Sequence, residues 1–441
     1  TQLIINPSSD LPAGSTIYII LPSQGIQGTS GNLYYEGSSN YTFRTITSSF
    51  SMQGGDVVFT QVAPTSPTGY HKFHLFTSSG ILTTTSPVAN SEDFVMVLVA
   101  GGGCGGKNIQ SPTSYYGGGG GGAGGLIRHT APTMILVAGD HTVTIGAGGN
   151  APTVGGGSNS SIAHPTNTYT VTGGGFGGSN SHPTLPSVEA RLGGSGGSGG
   201  GTHTRYAPPS PVPSSTPAPT IPVKGGTNGI VGQGYGGGAV LRQHPLAIHP
   251  QTSVPVAAGG GGGAGGAGGN ASYPPTITTT PSSPPAQTTY CYRSQEAGDG
   301  GPGLANPEFT ELILAPQLPS PYSALAVAMG PTGLLGGGGG GANGNNSTDW
   351  APVTPSPERL TMNGAGAGGS GGGGAGVYNK TATVPTQPHP LNPDGRGQDG
   401  VIGTGGGGGG TGYCSPSYPS GIYGGNGGSG ILMIRYASPA P

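Results

Sequence analysis

The chain has 441 residues, among them 97 glycines and 44 prolines, with only 6 % charged side chains and a formal net charge of -2. So weak a charge excludes electrostatic capture of nucleic acid or of an anionic membrane as the main activity. No apolar run approaches the ~18 residues of a membrane-spanning helix, and leucine, isoleucine and phenylalanine are too sparse for one large apolar core.

Thr16–Leu21 (TIYIIL) is β-branched and aromatic and follows a Leu-Pro-Ala-Gly turn, so it predicts a strand. Tyr41–Ile46 (YTFRTI) alternates and predicts another. The phrase LPAGSTIYIILPSQGIQGTSGNLYYEGSSNYTFRT resembles the closing strands of a bacterial Ig-like domain of the type found in surface-layer and phage proteins. The resemblance implies that residues 1–50 are the C-terminal part of such a β-domain. Thr1 and the lack of a signal peptide read as a processed or truncated N-terminus.

A second β-region follows. Asp56–Val62, Tyr70–Ser78, Ile81–Thr85, Phe94–Ala100, Leu126–Arg128, Met134–Ala138 and Thr142–Ile145 are predicted strands. Phe94–Ala100 (FVMVLVA) is continuously apolar, as expected of a strand buried on both faces. The β-signal then fades until Ile431–Tyr436 (ILMIRY). An apolar strand cannot stand unpaired. The chain is therefore expected to leave a β-base near Ala100, make glycine-rich excursions, and return at Ile431 to the sheet region of Phe94–Ala100.

The excursions centre on Gly117–Gly125 (GGGGGGAGG), with echoes at Gly193–Gly201, Gly259–Gly269, Gly336–Gly341, Gly364–Gly376 and Gly405–Gly410. A glycine run alone is a flexible linker, since it has no side chain to bury against its large ordering entropy. To be ordered it must use its backbone polar groups. A left-handed helix with three residues per turn makes no internal hydrogen bonds. Several such helices side by side satisfy one another, and they approach closely enough only without Cβ atoms. The runs lack the strict Gly-X-Y period of collagen. The expectation is a bundle of polyglycine helices, with Ala123, Ala264, Ala267 and Ser370 facing out of it.

Taken in order, GYHKFHLFTSSGILTTT, FVMVLVAGGGCGG, GGGGGGAGGL, HTVTIGAGGNAP and GGNGGSGILMIRYA resemble the glycine-rich domain of tail-fibre and adhesin proteins of bacteriophages and related viruses. The resemblance spans about Gly69 to Ala437. It implies a β-base, residues 51–148 with return strand 431–437, carrying a glycine-rich polyglycine-helix domain, residues 149–430. The fold class expected is mostly β with irregular structure and almost no α-helix. In that family the connecting loops recognise a receptor. The chain departs from it in long Pro/Ser/Thr-rich inserts: Lys107–Tyr116, Thr202–Lys224, Ala239–Ala258, Ala271–Ala297, Leu304–Leu335, Ser347–Asn363, Val377–Asp394 and Thr411–Tyr423. Within them Glu311–Leu314 and Leu325–Met329 read as short helices or strands.

No catalytic constellation is present: there is no G-x-S-x-G elbow, no H-E-x-x-H and no Walker loop. Matches to G-x-G-x-x-G are expected by chance at this glycine content and sit in no βαβ unit. His71 and His74 fall three apart on a strand, hence on opposite faces, which is poor metal geometry. Asp394–Asp399 (DGRGQD) lacks the ligand series of a calcium loop and reads as a polar turn. No catalytic residue, metal or other cofactor is expected. Cys104, Cys291 and Cys414 allow three single pairings, and their spacings fit no zinc pattern. If one pair bridges, Cys291 with Cys414 is expected, joining two tyrosine-bearing inserts.

A glycine stack is chemically almost featureless, so discrimination needs the side chains of the inserts. Tyrosine on Ser/Gly-rich loops gives contact area at low entropy cost. Tyr115, Tyr116, Tyr206, Tyr290, Tyr292, Trp350 and Tyr378 are the candidate receptor-binding anchors. The opposing reading is that such rings cap the ends of the bundle. The leading expectation is a non-enzymatic fibre or adhesin on a virion surface or otherwise extracellular. It binds a host surface glycan or surface protein and joins other virion or filament subunits, with no nucleic acid and no membrane insertion. The alternative is a structural subunit of an extracellular filament or coat. YAPPSPVPSSTPAPTIP resembles hydroxyproline-rich wall glycoproteins and offers Ser and Thr for glycosylation.

Overall fold

In a computed structural model the described residues are 51–62, 69–85, 94–107, 117–130, 136–180, 191–203, 226–240, 257–271, 296–320, 322–343, 365–377, 396–412 and 423–438, with the backbone alone of 16–19 and 41–44. Strands β1 (Thr16–Ile19) and β2 (Tyr41–Arg44) pair antiparallel, with Thr16 opposite Arg44.

The next strands build two five-stranded sheets. One has β3 (Met52–Gln53), β6 (Gly80–Thr84), β9 (Gly139–Thr144), β10 (Ser160–His164) and β11 (Asn167–Val171), in the order β11-β10-β9-β6-β3. The other has β4 (Val57–Val62), β5 (Tyr70–Phe76), β7 (Val95–Val99), β8 (Leu126–Thr130) and β14 (Ile431–Ser438), in the order β4-β5-β14-β7-β8. The return strand thus inserts between β5 and β7, with Ile431 opposite Val99 and Leu432 opposite both Leu98 and Phe76. This is the closure that the flanking apolar strands predict. The hairpin β10–β11 extends the first sheet within a stretch where the β-signal of the sequence has faded.

Alternation along the central strands sorts the core into two layers. Met96, Leu98, Leu432, Ile434 and Tyr436 meet Met52, Leu82, Val143 and Ile162 of the facing sheet. Val95, Val97, Val99, Ile431 and Met433 face the other way, toward Phe309, Leu314, Leu325 and Met329. Those partners come from a cover comprising α1 (Glu311–Leu314), α2 (Ser323–Met329) and the short pair β12 (Leu304–Ala305) with β13 (Leu334–Leu335). Every residue of β7 is buried, because one of its faces meets a sheet and the other meets this cover. Phe73 stacks on Phe59 at 4.6 Å between ring centroids and meets the edge of Phe309 at 6.0 Å. The stretch Leu304–Leu335, read from sequence as one of the loop inserts, is therefore part of the core. It also supplies two short α-helices to a fold that is mostly β and irregular among the described residues.

The glycine runs pack as a bundle with a bonding period of three. In 117–125 the amides of Gly118, Gly121 and Gly124 donate to the carbonyls of Thr411, Gly408 and Gly405. Those of Gly119, Gly122 and Gly125 donate to Gly178, Gly175 and Thr172, while Gly120 and Ala123 donate to Gly259 and Gly262. These bonds span 2.8–3.1 Å. Descending partner numbers mark the first two neighbours as antiparallel and ascending numbers mark the third as parallel. The carbonyls accept from three further segments: Gly119, Gly122 and Gly125 from Gly106, Gly103 and Ala100; Gly118 and Gly121 from Ala342 and Gly339; Gly120 and Ala123 from Gly201 and Ser198. One segment is thus ringed by six, each residue of a turn addressing a different pair of neighbours. This is the arrangement expected of three-residue-per-turn helices, in which backbone groups find their partners in neighbouring segments.

Segment 336–343 is ringed in the same way. It donates to 371–377, 298–301 and 118–121 and accepts from 258–264, 366–369 and 407–410. Gly336 enters this segment at φ +73, a left-handed turn that a side chain would strain. A Cβ on Gly120 would meet the Gly339 carbonyl oxygen and the Gly261 nitrogen, both closer than the 3.0 Å that real Cβ atoms respect.

The alanines divide. Ala267 and Ser370 are exposed as expected, but Ala123 and Ala264 are buried at 0 % and 6 % exposure. Ala264 joins the apolar cluster under the cover, where the bundle abuts the base. A methyl is accommodated there beside Gly336, which has no side chain of its own.

Candidate functional site

Bonded residues lie at the same level of the bundle, so the ladder of bonds ranks each segment along its axis. At one level Ala100 bonds Gly125, Gly124 bonds Gly405 and Ala264 bonds Gly336, next to the β-base. At the opposite level Gly106 bonds Gly119, Gly178 bonds Gly201 and Gly118 bonds Thr411. Ala342, Ala258 and Gly298 join that level, as do Asn343 with Val377 and Ala271 with Ala239. These are the segment ends that flank residues 108–116, 181–190, 204–225, 241–256, 272–295, 344–364, 378–395 and 413–422. Every one of these stretches is therefore flanked by residues at one end of the bundle, the end away from the base. Together they hold 27 of the 44 prolines but only 5 of the 97 glycines, so composition changes sharply where the segments end.

The candidate anchors Tyr115, Tyr116, Tyr206, Tyr290, Tyr292, Trp350 and Tyr378, and the expected pair Cys291 and Cys414, lie outside the described residues. What is placed is where each adjoins the scaffold. Tyr116 precedes Gly117, the first residue of the segment ringed by six. Tyr378 follows Val377, which bonds Asn343 and Gly410. The stretch 181–190 belongs to the same end although the sequence reading did not include it. Its Pro183 and Pro186 and its lack of glycine were the available signal.

Two described tyrosines behave as packing groups. Tyr423 packs beside Cys104, Ala151 and Val154, and Lys107 Nζ lies 4.4 Å from its ring centroid. Such a cation–π contact is worth ~0.5–1 kcal/mol at an exposed site and ties the flanks of 108–116 and 413–422 together. Tyr322 packs against the cover.

Elsewhere the titratable groups serve the fold. Burial pushes the Cys104 thiol up to about 12, which leaves it protonated and inert. Burial lowers the pKa of His74; its Nδ1 lies 2.7 Å from the Gly54 carbonyl, and its ring stacks on Tyr436. His71 takes the other face of β5, at the edge of the Phe73 ring. Burial alone would raise the Asp56 carboxyl, but four hydrogen bonds from Thr77 and Ser78 outweigh it and hold the pKa below its usual value. Asp399 accepts from Arg396 at 3.1 Å and from the Asn426 amide at 2.7 Å, as a polar turn does. Among the described residues no three His, Cys, Asp or Glu side chains converge on a metal-sized site. None of the described helices is long and apolar enough to cross a membrane.

No curated protein matches the chain. A family model described as a glycine-rich domain matches residues 77–310. That span runs from the end of β5 through the first half of the bundle and into the cover, and it takes in just over half of the chain. The chain belongs to the glycine-rich domain family.

Proposed function

We propose that the chain is a non-enzymatic surface adhesin of a viral tail fibre, binding a host-cell glycan or surface protein through the loops at the distal end of the glycine bundle. One observation carries this reading: the segment ends flanking all eight Pro/Ser/Thr-rich stretches lie together, away from the base. Loops grouped on a rigid scaffold are a common place for recognition. The weak charge favours stacking and hydrogen bonding over ion pairing, which suits a glycan or a neutral protein surface. The preceding Ig-like segment and the remaining virion subunits would hold the base in this reading.

The test replaces the eight stretches with short Gly-Ser links, leaving every glycine run intact. Labelled protein is then presented to a glycan array and to a panel of bacterial cells. Binding by the wild type that is lost in the replaced protein, with its melting temperature kept, supports the adhesin. Binding that persists without the stretches contradicts it. Filaments formed without any glycan or cell binding, together with sugar mass on Thr202–Lys224, would favour the structural-subunit reading instead.

A further inference from the structure

The interior of the bundle is closed by symmetry, since each segment has neighbours in every direction. Its perimeter is not, and a perimeter segment must end the lattice. Three segments show how. Along 374–377 the amides of Gly374 and Val377 donate to Gly407 and Gly410, and Gly376 donates to Gly366. The remaining amide of the turn, Ala375, donates instead to the side-chain Oε1 of Gln398 at 3.1 Å. Along 366–369 Gly366 and Gly369 donate to Gly341 and Gly338, whereas Ala367 donates to Asp299 Oδ1 at 2.7 Å. Along 173–178 Gly174 and Gly177 donate to Gly101 and Cys104, and Gly175 and Gly178 to Ser198 and Gly201. Gly173 donates to Asn159 Oδ1 at 2.9 Å. Asn270 caps Ala239 in the same fashion at 2.7 Å. All four capping residues are exposed.

We infer that Asn159, Asn270, Asp299 and Gln398 terminate the polyglycine lattice, and that the surface they close would otherwise accept a glycine segment of a second copy of this chain. The occupant follows from the bundle itself. The complement of one glycine segment is another, and both parallel and antiparallel neighbours are accommodated. A bare rim would present the row of unpaired backbone groups that makes an open sheet edge associate. Each cap places an amide or carboxylate oxygen where the next segment's carbonyl would sit. It leaves an outward surface of mixed side-chain atoms that has no three-residue period for another segment to match.

The test is a triple variant, Asn159→Ala, Asp299→Ala and Gln398→Ala, studied by light scattering across concentration and by residue-resolved amide exchange. The expected result is concentration-dependent association of the variant where the wild type keeps one mass. At low concentration the amides of Gly173, Ala367 and Ala375 should exchange roughly fivefold faster, matching the loss of one ordinary hydrogen bond each. Their protection should return in the associated form. A variant that keeps the wild-type mass at every concentration, or whose three amides exchange as in the wild type, overturns the inference. If the triple variant fails to fold, the three single variants decide by the same two readouts.

Discussion

The β-base and the glycine bundle solve the same problem by opposite means. The base is held by side chains: Leu98, Met96, Ile434 and Phe309 are fully buried, and the strand backbones pair mainly within each sheet. The bundle is held by backbone bonds running in every lateral direction, and its interior contains almost nothing but glycine. In the base an atom removed is a cavity; in the bundle an atom added is a collision. One chain therefore carries two kinds of core whose responses to mutation have opposite sign.

The sharpest way to break this comparison is Gly120→Val. Its Cβ and methyls would enter the space of Gly339 and Gly261, so a backbone must move. The expected cost is about 3 kcal/mol or more, enough to prevent the bundle from closing. Gly155→Ala is the control, because a Cβ there meets nothing nearer than 3.4 Å. It should stay within about 0.5 kcal/mol of wild type by thermal unfolding. Equal effects of the two would remove the distinction between interior and rim.

In the base the damaging change is truncation. Phe309→Ala empties a fully buried site against Phe73 and should cost about 3–5 kcal/mol. Denaturant unfolding followed through the base would measure it. A loss below 1 kcal/mol would mean that the cover is not part of the core.

Acid should separate the two regions without mutation. Burial lowers the pKa values of His74, His129 and His141 below the ordinary histidine range. The unfolded chain then binds protons that the fold refuses. Stability from these groups is complete above about pH 6.5 and falls as pH drops through that unfolded value toward the lower folded ones. The inward-facing amides of β5 and β9 should lose exchange protection between pH 7.5 and 5. The amides of 118–125 donate only to backbone carbonyls and should change less. Replacing His74 with glutamine should flatten the response of the base.

A small loss is expected at the edge of β8, where Arg128 meets Glu308 of the cover at 2.7 Å. The pair is partly exposed, so Arg128→Ala should cost no more than about 1 kcal/mol, and less at high salt. Melting temperatures at two ionic strengths would check it.

What was legible in the sequence follows the same division. Strands such as Phe94–Ala100 and Ile431–Tyr436 announce themselves by continuous apolar runs, and glycine tracts announce that no Cβ is tolerated. The cover was harder to read. Glu311–Leu314 is one helical turn, too short for a periodicity, although Phe309, Leu314, Leu318 and Leu325 set this stretch apart from the other inserts. The outward placement of Ala264 failed because, at the seam with the base, a small side chain belongs to the apolar core, and that of Ala123 failed because its segment has neighbours on every side. Convergence of the flanks at one end was not legible either. It depends on the direction of each segment, and a glycine run reads the same in both directions.

The account rests on glycine segments ordered by bonds that repeat every three residues. Residue-resolved amide exchange over 118–125 in the native protein tests this most directly. The prediction is strong protection at every position from Gly118 to Gly125, without the alternation of an edge strand, and its loss throughout in Gly120→Val. Exchange at the rate of an unstructured glycine peptide, or protection confined to alternate residues, would contradict the bundle.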